Sequence, residues 1–286
     1  MRARYPDTDG YVERDGVKLF YEVFGEGDQT VLLLPTWAII HSRHWKMQVP
    51  YLARHYRVVT FDGRGNGRSD RPVGRDAYAE REFAADALAV MDATGTERAV
   101  FAAVGRGVYR ALLAAAERPE RVLGLFLAAP DWWLRPEFVE AFLAQPRERY
   151  GDGWDRLSPH YFRSDWEGFV RWWMPIGVPQ PHSTKVIEDA VEWGLETDAD
   201  VFLAAAQGRG VGGHELRDLG AAVECPALVI EPELDYVAPP GQARIVADAV
   251  GCEVVRFARA GHALHAREPV RFNLALRGFV ERVRAS

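Results

Sequence analysis

Phe101-Ala102-Ala103-Val104-Gly105-Arg106-Gly107-Val108-Tyr109-Arg110 changes character within ten residues. The apolar run from Arg98 to Val104 reads as a buried strand, and Tyr109 to Arg118 places its apolar residues at helical spacing. Only a tight glycine-rich turn separates the two. A strand that passes so abruptly into a helix belongs to a fold in which helices carry the chain back across the face of a sheet.

Working outward, other stretches repeat this rhythm. Thr30 to Leu34, Arg57 to Phe61, Val122 to Leu127, Ala227 to Ile230 and Glu253 to Phe257 are short runs, mostly continuous in apolar character, as expected of parallel strands covered on both faces. Between and after them, His44 to His55, Glu80 to Ala93, Gly241 to Val250 and Pro269 to Val283 read as helices. Residues 11–24 alternate around Asp15-Gly16, the pattern of a half-exposed antiparallel hairpin at one sheet edge. The class is α/β, with a mostly parallel, doubly wound sheet and right-handed crossovers. From Asp131 to about Asp218 the alternation stops, and seven tryptophans (132, 133, 154, 166, 172, 173 and 193) fall in the interval. This segment is expected to be a helical insertion, residues 131–218, in a core made of residues 1–130 and 219–286.

Bulk properties exclude several functions. The 286 residues carry a formal net charge of −6 with the two signs interspersed, so no basic stripe is available for a nucleic acid backbone. No segment approaches the roughly 20 apolar residues of a membrane span, and the expected location is cytoplasmic. Cys225 and Cys252, the two cysteines, each stand before an apolar run and are expected to be buried thiols. His41 with His44, and His262 with His265, have helix-like spacing but lack a third ligand, so no metal and no cofactor is expected. Composition leaves monomer and homo-oligomer equally open.

Several segments together resemble the α/β-hydrolase fold superfamily, of the type with a helical cap after the sixth of eight strands. Asp62-Gly63-Arg64-Gly65-Asn66-Gly67-Arg68-Ser69 is similar to that family's Asp-x-Arg-Gly-x-Gly-x-Ser turn, a structural element there. The family's nucleophile elbow, Gly-x-Ser-x-Gly, corresponds to Ala103-Val104-Gly105-Arg106-Gly107, a register supported by the following Pro119-Glu120-Arg121-Val122. Gly105 therefore stands at the nucleophile position. Asp235, in Ile230-Glu231-Pro232-Glu233-Leu234-Asp235, resembles the family's acid, and His262, in Ala260-Gly261-His262, its base. The oxyanion hole would be the backbone N–H groups of Trp37 and Arg106, although Pro35-Thr36 replaces the His-Gly that many members carry there.

The resemblance implies an enzyme with an atypical triad. Losing a triad nucleophile costs about 10⁶ in turnover, so the acyl-enzyme route is closed to the chain as written. What remains is His262 as general base, oriented by Asp235, acting on a small apolar or aromatic substrate by water-mediated hydrolysis or by a lyase, cyclase or isomerase type of proton transfer. A conventional serine ester hydrolase whose nucleophile has been substituted by glycine is the first alternative; a non-catalytic ligand-binding homologue is the second. Trp132, Trp133, Trp172 and Trp173 are candidates to wall the substrate pocket. Asp131 is a reserve for the triad acid, with helix capping as its simpler role.

Overall fold

The structure, a computed structural model, describes residues 4–131, 156–178, 184–235, 237–238 and 241–285. Eight strands form one sheet: β1 (Thr8–Arg14), β2 (Val17–Phe24), β3 (Thr30–Leu33), β4 (Arg57–Phe61), β5 (Ala99–Val104), β6 (Val122–Ala128), β7 (Ala227–Pro232) and β8 (Glu253–Phe257). Their order is β1-β2-β4-β3-β5-β6-β7-β8. The hairpin β1–β2 and the β2–β4 pair are antiparallel, and all other pairs are parallel. Asp15 and Gly16 both take positive φ, 51° and 77°, which matches the twist of the flanking strands and explains the tight hairpin.

Because successive side chains of a strand point to opposite faces, a strand covered on both sides feeds two cores. Phe101 and Ala103 of β5 enter one cluster with α2 (Glu80–Ala93), α3 (Gly107–Glu117), α8 (Gly213–Ala221) and α9 (Gln242–Val250). Val100, Ala102 and Val104 enter the other, with α1 (Val49–Leu52) and the long C-terminal α10 (Pro269–Ala285). A third, aromatic cluster lies in the helices between β6 and β7: α4 (Pro159–Ser164), α5 (Trp166–Trp173), α6 (Lys185–Gly194) and α7 (Ala199–Gln207). There Phe162, Phe169 and Phe202 meet with ring centroids 4.6–5.2 Å apart.

Two expectations need correction. His44 to His55 is not one crossover helix; it is a 3₁₀ turn, Ser42–Trp45, followed by the single turn α1. Pro50 lies in the first turn of α1, where its missing N–H is tolerated, and a helix running through it from His44 would lose a hydrogen bond and clash with the preceding turn. Cys225 and Cys252 are half-buried rather than buried, although enough apolar surface surrounds them to push both thiols up to about 11.

Candidate active site

Parallel strands bring their C-terminal ends to one edge, and the loops that leave them supply the site residues. Thr36 and Trp37 follow β3, Gly105 and Arg106 follow β5, Asp131 follows β6, Asp235 follows β7 and His262 follows β8. Gly105 has φ +59°, a left-handed conformation that only glycine adopts without strain. A β-carbon built on it would stand 2.9 Å from Thr36 Oγ1, 3.4 Å from His262 Nε2 and 3.6 Å from Asp131 Oδ2. Its amide donates to Ala128 O at 3.0 Å, which ties the turn to the end of β6.

His262 Nδ1 lies 2.9 Å from Asp235 Oδ2. A carboxylate only accepts, so Nδ1 carries the proton and Nε2 is left to face Gly105. The other Asp235 oxygen accepts the amides of Val237 (2.8 Å) and Ala238 (3.0 Å). Burial opposes the Asp235 charge, but His262 and these amides outweigh it and hold the carboxyl below its ordinary range. For His262 burial likewise works against protonation, and the Asp235 carboxylate, with a smaller contribution from Asp131, raises its pKa above the ordinary value.

The two expected oxyanion donors are aimed by their own peptides. In a planar trans peptide C=O and N–H point in opposite directions. Gly105 O accepts Val108 N–H inside the first turn of α3, so the Arg106 N–H is directed away from the helix body, at a terminus whose dipole favours an anion. The Arg110 guanidinium holds both Pro35 O, at 3.1 Å, and Thr36 O, so the Trp37 N–H is directed away from Arg110. The Trp37 indole rests on Trp173 and Phe202, at centroid distances of 5.9 and 5.1 Å. Asn66 Nδ2 donates to Trp37 O and Ile40 O, both at 3.2 Å, so the Asp62–Ser69 turn braces this loop.

Sequence reasoning missed the cluster under the loop. Arg106, the N-cap of α3, and Arg110, one turn into it, are both buried and share Glu80 of α2; Nε–Oε distances are 2.8 Å for Arg106 and 2.7 Å for Arg110. Two cations face one carboxylate, and burial of this kind is sustained only by such pairing. The legible signal was Arg110 within the otherwise uncharged stretch Val108 to Ala116, with Arg106 one turn before it at the start of the helix.

A cavity of about 820 Å³, counting its open mouth, leads to this point. Trp37, Ile40, Trp173, Met174 and Trp193 make its walls apolar, and Thr36, Asp131 and His262 supply polar atoms, the usual character of a small-molecule site. Of the tryptophans expected in the wall, Trp173 lines the cavity. Trp172 instead packs on Phe169 and Trp173 (6.4 and 5.9 Å) and is absent from the lining among the described residues. Trp132 and Trp133 lie outside the described residues. Asp131 does not bond His262 Nδ1, which Asp235 takes; its buried carboxyl lines the cavity instead. His44 and His265 pair with each other across the fold, Nδ1 to Nε2 at 3.0 Å. Burial and neighbouring histidines hold both neutral, with His265 pushed down to about 3.

A family model described as alpha/beta hydrolase fold matches residues 29–157. Rhodomycin D methylesterase DauP of a Streptomyces species is 29% identical over 298 residues, covering 88% of this chain and 91% of that protein. The 3-oxoadipate enol-lactonase 2 of Acinetobacter baylyi is 23% identical over 279 residues, covering 93% and 94%. Among solved structures, an N-acyl homoserine lactone degrading enzyme superposes with a TM-score of 0.76 at 25% identity, covering 94% of this chain and 100% of its own. The fold is the α/β-hydrolase fold, with a helical cap inserted between β6 and β7, and the chain is similar to proteins of that superfamily. It is an enzyme of hydrolase type, similar over most of its length to proteins that cleave small organic molecules. No helix among the described residues is long and apolar enough to cross a membrane.

Proposed function

We infer that this enzyme hydrolyses small, largely apolar carboxylic esters or lactones, on a serine-hydrolase scaffold in which glycine stands at the nucleophile position. One observation carries the reading: a side chain at 105 would begin 3.4 Å from His262 Nε2, whose other nitrogen is held by Asp235. That is where a triad serine works, and glycine brings no hydroxyl to it. The methylesterase and lactonase names among the relatives favour ester and lactone bonds over the proton-transfer chemistries that the dyad alone would also allow. We take residues 131–218 as the cap that sets substrate size, with the core in 1–130 and 219–286.

In the chain as written, the attacking group is water placed before His262. With the substrate carbonyl oxygen received by the Trp37 and Arg106 amides, His262 Nε2 takes a water proton as the oxygen adds to the carbonyl carbon. Asp235 stabilises the imidazolium so formed. The tetrahedral intermediate then expels the leaving oxygen, which needs a proton.

The test is hydrolysis of a panel of short esters and lactones by the wild type and by His262→Ala. Turnover should be measurable and should drop by on the order of 10² or more in the variant, the usual weight of general-base catalysis. Unchanged turnover in His262→Ala would overturn the reading. A second mechanism, favoured by the esterase relatives, is that of a serine hydrolase silenced by the glycine. It predicts an inert wild type and ester turnover restored in Gly105→Ser.

A further inference from the structure

The water mechanism leaves a proton on His262 and an alkoxide without one, and Asp131 is placed to resolve this. We propose that Asp131 is a second catalytic residue, the acid that protonates the leaving oxygen in water-mediated hydrolysis. The inference rests on that mechanism and adds a group to it. Asp131 Oδ2 and His262 Nε2 lie within 3.6 Å of one point, the place a β-carbon at 105 would occupy, on the site side of the cavity. Asp131 is 5% exposed, and its Oδ1 has no hydrogen-bond partner among the described residues. A buried carboxyl oxygen left unpaired costs free energy, and the residue that carries this one lines a cavity that admits a ligand.

The backbone leading to it is held by two hydrogen bonds. Ala129 adopts φ 45°, a strained conformation for a residue with a β-carbon, and its amide donates to Ile230 O at 3.0 Å. The Tyr109 hydroxyl donates to Asp131 O at 2.9 Å and accepts from Gln242 Nε2 at 3.0 Å. Strain retained beside an unpaired carboxyl is a common mark of a functional position. The charged groups around it are Arg106 and Arg110 of α3, Glu80 of α2 and His262 of the β8 loop. Burial raises the carboxyl most, Arg106, His262 and Arg110 pull it back, Glu80 adds to the rise, and the result is about 6. Such a group exchanges a proton near neutrality.

The step balances as follows. The water oxygen forms a bond to the carbonyl carbon, whose π pair moves onto the carbonyl oxygen, while His262 Nε2 takes one water proton. As that pair re-forms the carbonyl, the carbon–oxygen bond of the leaving group breaks, its electron pair goes to the leaving oxygen, and the Asp131 carboxyl gives that oxygen its proton. Imidazolium then returns a proton to the Asp131 carboxylate, so acid and alcohol are released and the site is restored.

The experiment compares alkyl acetates, which need a proton on the leaving oxygen, with p-nitrophenyl acetate, which does not. Asp131→Asn should lower kcat/KM for the alkyl esters by on the order of 10²–10³ and for the nitrophenyl ester by less than about tenfold. Equal losses on both substrates, or none, would overturn the role of Asp131. If Asp131→Asn does not fold, the wild type decides: kcat/KM across esters of graded leaving-group basicity should vary weakly, and a steep dependence contradicts an internal acid. His262→Ala run alongside separates the two claims. A His262→Ala enzyme without turnover beside unselective Asp131→Asn losses rejects Asp131 alone, whereas a His262→Ala enzyme with full turnover rejects the water mechanism itself.

Discussion

Asp235 gives one carboxylate oxygen to His262 Nδ1–H at 2.9 Å and the other to the amides of Val237 and Ala238 at 2.8 and 3.0 Å. The backbone therefore fixes the carboxylate, and the carboxylate fixes the imidazole. In Asp235→Asn an amide replaces the charge, the favoured tautomer is lost, and kcat should fall by on the order of 10²–10⁴ with little change in KM. Because Asp235 raises His262 above its ordinary 6.5 and the neutral imidazole is the base, the kcat/KM of the wild type for p-nitrophenyl acetate, which needs no acid, should climb with pH through a value above 6.5. Residual activity of Asp235→Asn should climb at a lower pH. Rate profiles of the two proteins between pH 5 and 9 check both statements.

Asp131 makes the fold sensitive to pH in the opposite sense from most carboxylates. Its folded value of about 6 is above the ordinary 3.8, so the native state favours the protonated form. Its contribution is full below about 3.8 and is lost as pH rises through about 6, on the order of 2–3 kcal/mol in total. Asp131→Asn should match the wild type in denaturant unfolding near pH 4 and exceed its stability by roughly that amount at pH 8.

Glu80 neutralises part of the charge of Arg106 and Arg110, all three being buried. Glu80→Gln leaves two guanidinium groups without a carboxylate and should destabilise the protein by about 3–5 kcal/mol. Added salt should not rescue it, since buried charges are little screened. The loss should also loosen the loop whose Pro35 and Thr36 carbonyls Arg110 holds, so kcat should decline in whatever fraction remains folded.

The sheet and its crossovers were legible because continuous apolar runs such as Val100 to Val104 carry the signature of burial on two faces. Asp235 and His262 stood out through the resemblance of their segments to the family's acid and base loops. What spacing could not reveal was what meets across the sheet edge. Glu80 and Arg110 are 30 residues apart in the sequence, yet they form a buried pair. Local pattern offers Asp131 only its sequence neighbours, which suggest a helix cap; the cavity wall it joins is assembled from the loops after β3, β7 and β8 and from α5 and α6 of the cap. His44 and His265, 221 residues apart, found each other for the same reason.

The position of Gly105 in front of His262 is tested most directly by placing a hydroxyl there. Intact-mass analysis of Gly105→Ser after exposure to a fluorophosphonate should find one adduct per chain on the introduced serine. The adduct should disappear when His262→Ala is added. The variant should also lose on the order of 1–3 kcal/mol of stability, because a residue with a β-carbon must take φ +59° and Thr36 Oγ1, 2.9 Å from that carbon, must rotate away. A folded Gly105→Ser protein that stays unlabelled would contradict the assignment of residue 105 as the nucleophile position.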